Sequence, residues 1–315
     1  MSLDPQIEYV LELVKNAGYP ELWELSPAEA RAQFEQTVTV LDSEPADVFD
    51  STDRTADGPR GPIPVRIYTP REPAADAPLP VLLWLHGGGF VIGGLESYDS
   101  ICRALALKAD CIVVSVDYRL APEHAFPAAP EDCYAALKWT AANAHAFGGD
   151  PTRIAVAGDS AGGNLSAVTA IAARDGGGPD LAFQLLVYPC TAPAPDSASH
   201  QDFAEGYLLT RRNIEWFFGL YTPNPADRQN PRYAPLLCPD LSGLPPALVI
   251  VAGYDPLRDE GIAYAERLKQ AGVKVELTNY AGMIHGFYSM SGAVDAGREA
   301  IDQSAKALRA AFAQS

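Results

Sequence analysis

Two short stretches of this 315-residue chain carry residue types suited to attack on a carbonyl group. The first is "GDSAGGN", where Gly158, Ser160 and Gly162 form G-x-S-x-G after the apolar run "RIAVAG" and before a helical pattern. A sharp strand-to-helix turn lifts a serine hydroxyl above a sheet only if its flanks lack bulk, because side chains there would meet neighbouring backbone. Serine also caps helices, so Ser160 could simply serve the helix opening at Ala161. The second stretch is "HGGG", His86 to Gly89, directly after "VLLWL". Attack by serine leaves negative charge on the carbonyl oxygen, and backbone N–H groups about 3 Å away in a water-poor cleft must meet it. A turn of glycines after a buried strand supplies them: Gly88 and Gly89 are the expected donors, with Ala161, the residue after the serine, as the third. Phosphate binding is the other common use of glycine-rich loops. "HGGGFVIGG" has neither the G-x-x-x-x-G-K-[ST] spacing nor a G-x-G-x-x-G opening a helix.

A serine hydroxyl needs a base, usually a neutral histidine held by a carboxylate. Of the five histidines, His200 falls in an irregular stretch and His124 in the proline-rich "YRLAPEHAFPAAPED". His145 sits at a helix end, where positive charge suits the dipole. His86 precedes the glycine loop, whose shape it is expected to hold. His285 follows the last strand through the loop "NYAGMIH" and precedes Gly286, which makes it the expected base. The acid should come between Ser160 and His285, after another strand. "ALVIVAGYDPLRDEG" offers Asp255 just past the strand end and Asp259 four residues on. Asp255 is favoured because functional side chains of such sheets gather at strand C-termini. Asp259 falls in the first turn of a helix, where a carboxylate serves the cap or the dipole. Asp255, with Pro256 behind it, also fits a helix cap.

These residues need a rigid frame. The runs "VRIYT", "VLLWL", "CIVVSV", "RIAVAG", "FQLLVY", "ALVIVAG" and "VKVELT" read as strands, most of them buried on both faces. A weaker strand near Ala46 to Asp50 brings the count to about eight. Helical patterns alternate with them at Tyr98 to Lys108, Pro130 to Ala144, Ala161 to Ala173 and Asp259 to Ala271, and Val294 to Phe312 closes the chain. Such alternation predicts an α/β fold with a mostly parallel sheet and helices on both faces. Two helices come first: Ile7, Val10, Leu11 and Val14 share a helical face, and the capping box "SPAE" at Ser26 opens another through about Val40.

Residues 190–239 break the rhythm, being rich in proline, polar and aromatic residues, with one helix around Arg211 to Leu220. The expected organisation is therefore residues 1–45 as the N-terminal part of a helical cap, 46–189 as the first part of the core, 190–239 as a cap insertion and 240–315 as the second part of the core. Phe203, Tyr207, Trp216, Phe217, Phe218 and Tyr221 of the insertion suit, as a group, the cover of an apolar pocket. Singly, each is more simply read as packing within the insertion itself.

Composition narrows the partners. Forty acidic against 23 basic residues give a net charge of -17, which repels phosphate backbones and anionic lipid. The expected partner is a neutral small molecule, with no nucleic acid and no membrane. No run approaches the roughly 20 apolar residues of a membrane span, and "MSLDPQIEYV" lacks the basic start and apolar centre of a secretion signal, so a cytoplasmic location is expected. Cys102, Cys111, Cys133, Cys190 and Cys238 are scattered without C-x-x-C spacing. They suggest neither zinc nor disulfides and read as buried apolar groups.

Together "HGGGF", "VDYRLAPEHAFPAAPED", "GDSAGGNL", "DPLRDEG" and "IHGF", spread from His86 to Phe287, resemble the hormone-sensitive-lipase-like family of α/β-hydrolases, its bacterial carboxylesterases in particular. The order Ser, Asp, His is also that of α/β-hydrolases. The resemblance implies the α/β-hydrolase fold with a helical cap, and Ser160, Asp255 and His285 as nucleophile, orienter and base. It implies Gly88, Gly89 and Ala161 as the oxyanion hole. Neutral short- to medium-chain esters would be hydrolysed without metal or cofactor, and a homodimer is a possible assembly. Ala125, where the family often has proline, lies away from these residues. The alternatives are an amidase or arylacetamide deacetylase-like hydrolase on the same scaffold, and a non-catalytic receptor. Plant gibberellin receptors resemble the family but have lost the catalytic histidine, which is present here as His285.

Overall fold

Seven residues in succession, Leu79–Leu85, are buried, as in a strand covered on both faces. In the computed structural model, which describes residues 2–74 and 76–314, that strand lies inside one sheet. Met1 and Ser315, the outer ends of segments 1–45 and 240–315, fall outside the described residues. The strands are β1 (Asp50–Gly58), β2 (Gly61–Thr69), β3 (Leu79–Leu85), β4 (Ile112–Val116), β5 (Gly149–Asp159), β6 (Phe183–Val187), β7 (Ala247–Tyr254) and β8 (Val275–Ile284). Their order is β1-β2-β4-β3-β5-β6-β7-β8. The β1/β2 and β2/β4 pairs are antiparallel and the rest parallel.

The helices are α1 (Pro5–Ala17), α2 (Pro27–Leu41), α3 (Asp99–Ala109), α4 (Ala128–Asn143), α5 (Ala161–Asp175), α6 (Ala198–Asp202), α7 (Arg211–Tyr221), α8 (Arg258–Gln270) and α9 (Asp295–Phe312). Side chains alternate across a strand, and the two sets meet different helices. Val81, Leu83 and Leu85 belong to one core with Leu137 of α4, Leu165 of α5 and Leu268 of α8. Leu82 and Trp84 pack with Leu105 of α3 and Leu308 of α9. Among the described residues no helix is long and apolar enough to cross a membrane.

β2 and β5 begin four residues before "VRIYT" and "RIAVAG", and two other strands differ further from expectation. The first is not at Ala46 to Asp50 but at Asp50–Gly58, with only Ala56 buried. It forms a hairpin with β2 from Asp50↔Thr69 to Gly58↔Gly61. At a sheet edge, charged side chains are tolerated and even protective, so no apolar alternation marks it. The last strand does not stop within "VKVELT" but runs from Val275 to Ile284, pairing as far as Tyr254↔Ile284. Most of the expected loop before His285 is therefore strand, because β7 supplies backbone partners that Asn279 and Tyr280 do not advertise. In α1 the apolar face is narrower than its spacing implies: Ile7 and Val10 are buried, whereas Val14 is exposed. The short α6, capped by the Ser197 hydroxyl, is an element of the insertion that its sequence did not reveal. The capping box of α2 forms as expected, with Ser26 and Glu29 bonding each other's backbone.

Candidate active site

β5 ends at Asp159 and α5 begins at Ala161, so Ser160 alone makes the turn. Its φ of 54° and ψ of -117° are unfavourable for any residue with a Cβ, by about 1–3 kcal/mol. Neighbouring backbone holds it there. The Ser160 N–H donates to the Val187 carbonyl at 2.8 Å, and its carbonyl accepts from Asn164 N–H at 3.0 Å and Cys190 N–H at 3.3 Å. The flanking glycine is required by close approach: a Cβ at Gly162 would stand 1.8 Å from the Leu85 carbonyl oxygen. The Ser160 side chain makes no capping bond to α5. Its Oγ lies 2.9 Å from His285 Nε2.

His285 follows the last residue of β8, and its Nδ1 donates to Asp255 Oδ2 at 2.7 Å. Asp255 is wholly buried and His285 nearly so. A carboxylate only accepts, so the ring proton sits on Nδ1 and the Nε2 lone pair faces the Ser160 hydroxyl. The other oxygen, Asp255 Oδ1, accepts the Leu257 N–H at 2.8 Å and so ties the turn before α8; the N-cap of that helix is Leu257, without a side-chain cap, so Asp255 is not the cap. Asp259 turns away, its Oδ2 accepting from Ser199 N–H at 2.9 Å and its Oδ1 paired with Arg258 at 2.9 Å. The Tyr188 ring, which the sequence did not single out, packs 4.5 Å from the His285 ring.

The glycine loop is arranged by its carbonyls. Burial pushes the His86 imidazole down to about 4, so it is neutral, and Nδ1 spends its one proton on the Gly87 carbonyl at 2.7 Å. The Gly88 carbonyl accepts from Val91 N–H and Ile92 N–H, both at 3.0 Å. In a trans peptide the N–H points opposite to the C=O. Holding these two carbonyls on one side therefore turns the N–H groups of Gly88 and Gly89 to the other, with φ of 105° and 59° at the two glycines. None of the N–H groups of Gly88, Gly89 and Ala161 has an acceptor among the described residues.

α7, from the irregular stretch, covers this loop. A Cβ at Gly89 would fall 2.3 Å from the Phe217 ring, and Phe90 stacks on Tyr221 at 3.9 Å. Arg212 of α7 lies 3.6 Å over the Trp23 ring, joining the insertion to the N-terminal segment. Phe218 and Tyr221 are buried, and Trp216 packs on Phe217. Phe203 and Tyr207 pack on each other and on Tyr254, within the insertion and its neighbour.

The remaining histidines stand apart from Ser160. His200 is buried between the Ser197 hydroxyl and the Glu260 carboxylate, His145 lies in a 3-10 turn after α4, and His124 is exposed. All five cysteines are buried thiols. Among the described residues no group of three or more His, Cys, Asp or Glu is placed to hold a metal ion.

A family model described as the alpha/beta hydrolase fold matches residues 82–289. The chain belongs to the α/β-hydrolase family. It is 49% identical over 253 residues to carboxylesterase NlhH of Mycobacterium tuberculosis, covering 79% of each chain. It is 39% identical over 319 residues to the ethyl acetate hydrolase of Pseudomonas putida, covering 98% of this chain and 99% of that one. In structure it is similar to the ester-hydrolase EH1AB1 from the metagenome of Lake Arreo, with a TM-score of 0.95, 45% identity and 99% of each chain covered. Within the α/β-hydrolases, these relatives bear out the resemblance to the hormone-sensitive-lipase-like carboxylesterases.

Proposed function

We propose that this α/β-hydrolase is a serine carboxylesterase acting on neutral short- to medium-chain carboxylic esters through an acyl-enzyme. The carrying observation is the hydrogen-bonded line from Asp255 through His285 to Ser160 Oγ, at 2.7 and 2.9 Å. In this reading Ser160 Oγ attacks the ester carbonyl carbon while His285 Nε2 takes its proton. The N–H groups of Gly88, Gly89 and Ala161 meet the charge that develops on the carbonyl oxygen. The imidazolium, stabilised by Asp255, returns the proton to the leaving alkoxide oxygen, so the C–O bond breaks and alcohol departs with the acyl group left on Oγ. Water, deprotonated by the same Nε2, then attacks the acyl carbon, and Oγ leaves with the proton as the carboxylic acid is released.

Residues 1–45 and 190–239 act in this reading as a cap over a core formed by 46–189 and 240–315. Contact of Phe217 with Gly89 and of Arg212 with Trp23 supports that division. An aromatic cover and a net charge of -17 favour a compact, uncharged substrate over an anionic one. Turnover of nitrophenyl esters of graded acyl length, with a nitroanilide of matched acyl group, tests the class. The expected kcat/KM is highest among the shorter esters and far lower for the anilide and for emulsified long-chain triglyceride. Preference for the anilide overturns the ester reading in favour of an amidase, and preference for the emulsion overturns the short-chain reading.

A further inference from the structure

In G-x-S-x-G the second position is free in principle, yet here it holds a buried carboxylate, Asp159, beside the nucleophile. Asp159 Oδ1 accepts the Gly87 N–H at 2.8 Å across 72 residues of chain, and Oδ2 accepts the Tyr98 hydroxyl at 3.1 Å. The glycine at position 87 has the same origin. A Cβ there would fall 2.5 Å from Asp159 Oδ2 and 2.7 Å from the Tyr98 oxygen, so Gly87 is bare because the carboxylate occupies that space. The peptide between His86 and Gly87 is gripped at its other end too, since the Tyr118 hydroxyl donates to the His86 carbonyl at 2.7 Å. With the next carbonyl held by His86 Nδ1, the direction of the Gly88 N–H follows from this pinned peptide.

We propose that Asp159 is a positioning residue that locks the glycine loop to the nucleophile turn, setting the oxyanion donors of Gly88 and Gly89 relative to Ser160. The proposal rests on the assignment of those donors under the proposed function. An N–H that swings from its place loses its hold on charge that exists only in the transition state, so the effect belongs in kcat and not in KM. A displacement of about 1 Å costs on the order of 10²-fold.

The test compares Asp159→Ala and Asp159→Val, which withdraw the acceptor from Gly87, with Asp159→Asn. The amide keeps an oxygen for Gly87 and offers its NH2 to the Tyr98 oxygen. Assays at pH 8 keep the wild-type carboxyl, pushed up to about 6 by burial, ionised. The truncations should lower kcat by about 10- to 100-fold at similar KM. They should weaken binding of a trifluoromethyl ketone, whose serine adduct carries an oxyanion, by a similar factor. Asp159→Asn should recover most of both losses. Folded truncations with wild-type kcat and inhibitor affinity overturn the proposal. So does a loss confined to KM, or an Asp159→Asn variant as impaired as Asp159→Ala. If neither truncation folds, Asp159 is a stability residue and the proposal fails as well. In each of these cases the nucleophile assignment stands or falls separately, on Ser160→Ala.

Discussion

Ser160→Ala should yield a folded protein with ester hydrolysis reduced at least about 10³-fold, since the oxyanion hole and substrate binding alone retain only a small part of the catalysis. The structure gives two reasons to expect the fold to survive. The positive φ of 54° at Ser160 burdens any residue with a Cβ, so alanine pays no more than serine there. The bonds that hold the turn, to Val187, Asn164 and Cys190, are all made by backbone. Among the described residues the hydroxyl itself is bonded only to His285. Thermal unfolding of the variant should therefore stay near that of wild type while turnover collapses, and a fluorophosphonate should label wild type at Ser160 and leave the variant unlabelled. Unchanged turnover in Ser160→Ala would remove the acyl-enzyme from the mechanism.

The parts of this site that were legible from sequence are those whose chemistry demands an unusual residue in a recognisable place. Gly158 and Gly162 stand against the Leu85 carbonyl oxygen, and a position that tolerates no Cβ leaves its mark as glycine. His285 and Asp255 could be nominated because a strand end is a predictable location, even though β8 runs further than its apolar residues suggest. What stayed hidden depends on partners distant in the chain. β1 is a strand because β2 lies beside it, and its side chains, nearly all polar, carry no periodic signal. Asp159 touches Gly87 from 72 residues away, so neither residue alone indicates the contact. The contact of Phe217 with Gly89 is equally unreadable, because a phenylalanine on an amphipathic helix looks the same whether it faces its own segment or the glycine loop.

Asp255→Asn should keep the fold and lose most of kcat, by about 10⁴-fold, the size known for the same exchange in the serine-protease triad. The two oxygens of Asp255 explain why fold and activity separate. The asparagine carbonyl can still accept the Leu257 N–H that Oδ1 now takes at 2.8 Å, and Asn caps a chain turn about as well as Asp. The amide NH2 then faces His285 Nδ1, where it can only donate. That moves the imidazole proton to Nε2, which points a donor at Ser160 Oγ in place of the lone pair needed to take its proton. The charge that stabilises the imidazolium is lost as well. Asp259→Asn is the matched control one helical turn away. Its side chain can still accept the Ser199 N–H, and the ion pair it loses, to a partly exposed Arg258, is worth on the order of 1 kcal/mol of stability or less. Activity of Asp259→Asn should stay close to wild type, and kcat measured on one short-chain nitrophenyl ester ranks the pair. The reverse ranking would hand the role of the acid to Asp259. Small losses from both would dismantle the triad, because an imidazole that functions without either carboxylate is not being held by the geometry described here.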